Sequence, residues 1–135
     1  MTAFSTYLRN AQLNWFRGTT FPAPPANFFI ALYNGDPSRT GTAGTDVTTS
    51  IRTAGRVAIA NSGWDAVADN GTARFIQNTA SIAFGNSVAA TTVTHVGIWD
   101  AAVGGNFIGR ASSPFSSTAG APVTIAAGAL DIELS

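Results

Sequence analysis

The segment Thr92-Val-Thr-His-Val-Gly-Ile-Trp-Asp-Ala-Ala-Val-Gly-Gly-Asn-Phe-Ile-Gly-Arg110 constrains the fold more than any other part of the chain. A run rich in β-branched residues meets an Asp-Ala-Ala-Val-Gly-Gly-Asn turn, and a second short apolar run leaves it. Strand formers on both sides of glycines that accept positive φ make a β-hairpin. Phe28-Phe-Ile-Ala-Leu-Tyr33 is a continuous apolar run with the length of a buried strand, ended by the turn residues Asn34-Gly-Asp-Pro37. Residues 56–59, 72–77 and 81–84 read as further short strands. From Leu130 the end of the chain alternates, with Leu130, Ile132 and Leu134 expected inward and Asp131 and Glu133 outward, a half-buried closing strand. Residues 38–50 read as a long exposed loop and residues 112–120, with Pro114, as a polar one. Roughly seven short strands at spacings near ten residues imply a mainly β fold, a β-sandwich of jelly-roll type.

One helical pattern precedes the strands. Phe4, Tyr7, Leu8, Ala11 and Trp15 recur at spacings of three and four, Thr2 or Ser5 can cap the start, and Gly18 stands where helices stop. A helix this short is unstable alone, so its aromatic stripe must dock on its own sheet or on a neighbouring subunit. Pro22, Pro24 and Pro25 then fix an extended connector. The organisation expected is one domain: helix 1–18, proline-rich connector 19–27 and β-sandwich 28–135.

Chemistry is hard to place on this chain. There is no cysteine and one histidine among 135 residues, so a thiolate metal site is excluded and a zinc site is not expected. Calcium needs clustered acidic oxygens, and Asp36 and Asp46 lack the alternating acidic pattern. His95 and Asp100 are five apart, which puts them on opposite faces of a strand, and no Gly-x-Ser-x-Gly elbow supplies a nucleophile. The expectation is a protein without catalytic residues, metal or cofactor. Trp15, Trp64 and Trp99 read as core or interface anchors, with a sugar-stacking platform as the alternative.

Charged residues make up 10% of the chain, against about 25% in ordinary soluble domains. All seven cations are arginines, and the net charge is zero. Scattered arginines do not make a nucleic-acid footprint. No apolar run has the length of a membrane span, and the N-terminus lacks the pattern of a signal peptide. A surface of Ala, Thr, Ser, Asn and Gly suits a protein packed against neighbours, so self-association as a trimer is expected. The partner interface is expected at Phe4, Tyr7, Arg9, Trp15 and Arg17, aromatic and arginine anchors on and beside the helix.

Several blocks share an order with a known group of proteins. They are the helix ending in Arg17-Gly18-Thr19, the strand Phe29-Ile-Ala-Leu-Tyr33 running into Asp36-Pro37, and the Gly41-Thr-Ala-Gly-Thr-Asp46 loop. Thr94-His-Val-Gly-Ile-Trp-Asp100 with Gly104-Gly-Asn106, and Ala127-Gly-Ala-Leu-Asp-Ile-Glu-Leu134, complete the set. In these the chain resembles small tailed-phage virion proteins of the tail-fibre-like or decoration type. Between Thr48 and Arg56 it departs from that pattern. The resemblance implies a non-enzymatic structural protein of a phage particle, made in the host cytoplasm and bound to other virion proteins. A capsid decoration or cement protein held on the major capsid protein is the first expectation. The alternative is a tail fibre or baseplate component engaged in host attachment, with glycan binding as a further option.

Overall fold

A computed structural model describes residues 2–134. Met1, the first residue of the expected helical segment, and Ser135, the last of the expected sandwich, lie outside the described residues. The elements in chain order are β1 (Thr2–Phe4), α1 (Thr6–Phe16), β2 (Asn27–Asn34), β3 (Thr45–Asp46), α2 (Thr48–Ile51) and β4 (Val57–Ala60). A 3-10 turn (Asn61–Gly63) leads to β5 (Ala68–Asp69), β6 (Arg74–Gln77), β7 (Ile82–Asn86) and β8 (Thr91–Trp99). The chain closes with β9 (Phe107–Ser117), β10 (Pro122–Ile125) and β11 (Asp131–Leu134).

The fold is mainly β, antiparallel throughout, with one N-terminal helix of any length. The largest sheet runs β1-β9-β8-β2-β3, and β4 also pairs with β2. β10 pairs with β7, and β11-β6-β5 form a third sheet. The expected hairpin is the β8–β9 pair at the centre of the large sheet.

Strand alternation explains where the core lies. Ile30 and Leu32 of β2 stand opposite Ile98 and Val96 of β8, and Val96 stands opposite Ala111 of β9. All five are buried. Against them pack Ile82 and Phe84 of β7, Val123 and Ile125 of β10, and Leu130. Burying each such side chain contributes about 1.5–3 kcal/mol, which makes this two-layer contact the main source of stability. A buried amide crosses from one segment to another. Asn78 donates to the carbonyls of Ala80 and Ala126 (2.8 and 2.9 Å) and accepts from the Leu130 N–H (2.9 Å).

The structure corrects the sequence reading in five places. The helix begins at Thr6, because Ser5 is extended and its Oγ accepts from the Leu8 N–H (3.1 Å), an N-cap that leaves residues 2–4 to pair with β9. Phe4 therefore sits on a strand. Pro114 lies inside β9, where a loop was expected. The register slips between Val93 and His95, so Ser113 and Pro114 fall in a bulge where no ladder N–H is required. Residues 38–50 are also more ordered than expected. β3 pairs with Tyr33 and Asn34, while α2 buries Thr48 and Ile51 and Thr48 Oγ1 accepts from the Leu32 N–H (2.9 Å). A strand that the sequence reading did not name, β10, precedes the expected closing strand, which is β11. Finally, Leu134 does not point into the core but is 54% exposed at the edge.

Candidate functional site

Two regions gather unusual side chains, and the first holds the hairpin tip. Arg56, just before β4, lies over the Trp99 ring with its guanidinium carbon 4.0 Å from the centroid. Its Nη1 donates to the carbonyls of Ala101 (2.8 Å) and Gly104 (3.0 Å), and so ties down the turn. Asp100 closes the same turn by accepting from the backbone N–H and the side-chain amide of Asn106 (2.6 and 2.8 Å). Beneath, Trp99 Nε1 donates to Tyr33 Oη (3.2 Å), and Phe107 stacks at a tilt against Trp99 (5.1 Å). Gly41 and Gly97 leave room for these rings: a Cβ on Gly97 would lie 2.6 Å from Tyr33, and one on Gly41 2.7 Å from Phe107. Burial raises the Tyr33 phenol above its ordinary value, and desolvation lowers the Arg56 guanidinium, with Tyr33 and Asp46 pulling the latter back up. Every polar group named here is engaged with another, so the cluster braces a rigid turn.

The second region is the outer face of α1. No residue of this helix is fully buried. Leu8, Ala11, Gln12 and Asn14 are half-buried, whereas Leu13 (66%), Trp15 (59%) and Phe16 (80%) stand in solvent. Arg9, Gln12, Leu13 and Phe16 follow the spacing of one helix face. Together with Trp15, Phe21, Phe4 of β1 and Leu134 of β11 they line an open groove of about 940 Å³. Trp15 and Phe16 meet edge to face, with centroids 5.3 Å apart. The helix ends in a Schellman motif: Gly18 (φ +86) donates to the Trp15 carbonyl and Thr19 to that of Asn14, both at 3.0 Å. This turn sends the proline connector back across the end of the sheet, where Leu8, Pro24, Phe28 and Ile108 border a smaller hollow of about 370 Å³.

Against known proteins, a family model described as podophage GP4 fiber I protein gp80 matches residues 3–133. The chain belongs to this family. No curated protein matches it. The gp80 family match makes the chain a structural protein of a bacteriophage particle, in line with the resemblance read from its motif blocks.

In this gp80-family chain the five expected interface residues do not form one cluster. Phe4, Arg9 and Trp15 line the large groove. Tyr7 lies on another side of α1, beside Asn10, Ala11 and Pro22. Arg17 caps the helix C-terminus, exposed, with Nη1 3.4 Å from Asn14 Oδ1. Sequence reasoning missed Leu13, Phe16, Phe21 and Leu134. The signal was present: Leu13 and Phe16 make a second apolar stripe beside Leu8, Ala11 and Trp15, so the helix is apolar on two faces.

The remaining candidates have structural partners. His95 Nδ1 lies 2.9 Å from Thr94 Oγ1, while the Asp100 carboxylate is held by Asn106. Asp36 pairs with Arg110 (2.7 Å), and Asp46 accepts from the Thr48 N–H (2.9 Å). Among the described residues no group of three or more His, Cys, Asp or Glu is placed to hold a metal.

Proposed function

We propose that this chain is a fibre component of a podophage particle, built onto other virion proteins by surface contact and performing no catalysis. The observation that carries the reading is the fiber-protein family match, which spans the fold from β1 to β11. Its interface lies on and beside α1: Phe4, Arg9 and Trp15 with Leu13 and Phe16 in the groove, Tyr7 and Arg17 on the flanks. Its partners are tail proteins and further copies of itself; the weakly charged surface favours such association, and a trimer is the state proposed. The shell-cement reading rests on the resemblance to decoration proteins, whereas the family whose model matches the chain is described as a fiber protein. A glycan platform of the three tryptophans has less behind it, since Trp99 is covered by Arg56 and Phe107 and Trp64 is packed against the core, which leaves Trp15 alone in solvent.

Copy number tests the reading. Quantitative mass spectrometry of purified particles should give a few to some dozens of copies, and gold-labelled antibody should mark the tail. Hundreds of copies, with label over the shell, would overturn it in favour of cement.

A further inference from the structure

The dipeptide Asn-Gly occurs twice in the chain, at Asn34–Gly35 and Asn70–Gly71, and the fold holds the two in opposite ways. Asn34 closes β2 and pairs with Thr45 of β3. The Gly35 N–H donates to Thr94 Oγ1 (2.8 Å), and a Cβ on Gly35 would lie 3.3 Å from the Gly44 Cα, so this backbone has no room to bend. Asn70 stands in the exposed loop that joins β5 to β6, where Asp69 faces Arg74 in register and pairs with it at 3.2 Å. The Asn70 Oδ1 accepts three hydrogen bonds, from the Thr72 N–H (3.0 Å), Thr72 Oγ1 (3.1 Å) and the Ala73 N–H (2.9 Å). The Gly71 N–H donates to Asp69 Oδ1 (2.7 Å). Nothing lies within 4 Å of where a Gly71 Cβ would stand, so this turn has space to move.

We propose that Asn70 is a site of self-modification, converting through a cyclic succinimide to aspartate and isoaspartate, while Asn34 is preserved. The inference goes beyond the fibre reading and does not depend on it. The Gly71 nitrogen attacks the Asn70 Cγ, and Asp69 Oδ1, already bonded to that N–H, takes its proton as general base. Negative charge develops on the Asn70 Oδ1, where the three donors stabilise it as an oxyanion hole does. The Cγ–Nδ2 bond then breaks, and the amide nitrogen leaves into solvent as ammonia, carrying the proton that Gly71 gave up. Water adds to either carbonyl of the succinimide ring and opens it to aspartate or isoaspartate at position 70. Glycine at position 71 has no side chain to obstruct ring closure. Both products place a carboxylate beside Asp69, and isoaspartate adds a carbon to the main chain, so the β5–β6 hairpin loosens. At Asn34 the glycine N–H faces a neutral hydroxyl in a packed turn, and neither the base nor the freedom to cyclise is present.

Ageing the purified full chain at mildly alkaline pH tests this, with peptide mass mapping of both Asn-Gly pairs over time. Isoaspartate is read separately, by methyl transfer from a protein isoaspartate methyltransferase. In the folded chain Asn70 should convert roughly tenfold or more faster than Asn34. In denaturant the two should convert at similar rates. Asp69→Asn keeps an acceptor for the Gly71 N–H but removes the base, and should slow the Asn70 reaction roughly tenfold. Thr72→Val removes one of the three donors and should slow it roughly threefold, and this variant decides the matter if Asp69→Asn does not fold. Equal rates at the two asparagines in the folded chain, or faster loss of Asn34, overturn the proposal. A preference for Asn70 that persists in denaturant does the same, because local sequence and not the fold would then set the rate. Folded variants that convert as fast as the wild type also contradict it.

Discussion

Tyr33 is the side chain through which alkaline pH acts on this fold. It is 2% exposed, and burial raises its phenol above the value of an unfolded chain. The stabilising difference is fully present below the unfolded pKa, about 10, and is lost as pH rises through the folded value. In a Tyr7→Phe background, where Tyr33 is the sole tyrosine, phenolate absorbance should appear together with unfolding. Melting temperature should fall above pH ~10, and Tyr33→Phe should flatten that fall. A neighbouring residue gives a second expectation. Arg56→Ala removes two hydrogen bonds to carbonyls and the contact over Trp99, and should cost about 2 kcal/mol in denaturant unfolding. Hydrogen exchange should quicken most in residues 101–106, the turn it holds.

Among the elements, α1 rests lightly on the body of the fold. It contributes no fully buried residue, and its start rests on the Ser5 cap. Ser5→Ala should cost about 1 kcal/mol, seen as faster amide exchange over residues 6–16. The cap also explains why the helix was legible in sequence while its first turn was not. Phe4 fits the spacing of three and four, but Ser5 takes extended dihedrals to serve as cap, and the residues before it pair with β9. Strands were readable wherever apolar residues ran together or alternated, as in β2 and β8. Pro114 hid half of β9, because a bulge that tolerates proline depends on register with β8 and leaves no local pattern. Leu134 alternates as a core residue should, yet the core ends at Ile132 and the last leucine joins the groove. The groove could not be read from periodicity, since it draws residues from both ends of the chain.

At the scale of the molecule, a two-layer β fold carries one helix that is apolar on two sides. Helical residues make up 14% of the structure, so far-UV circular dichroism should show a β spectrum with a small helical share. A helical fraction above about a third would contradict the fold. The low charge that pointed to a packed existence in the sequence takes a place in the structure: the outer face of α1 is where apolar surface remains uncovered. The most direct test of the central claim, a fibre component assembled through that face, is cryo-electron microscopy of the intact particle. The expected result is density for this fold in a tail fibre, with Leu13, Trp15 and Phe16 covered by protein. Density on the capsid shell, or an α1 face left open to solvent, would contradict it.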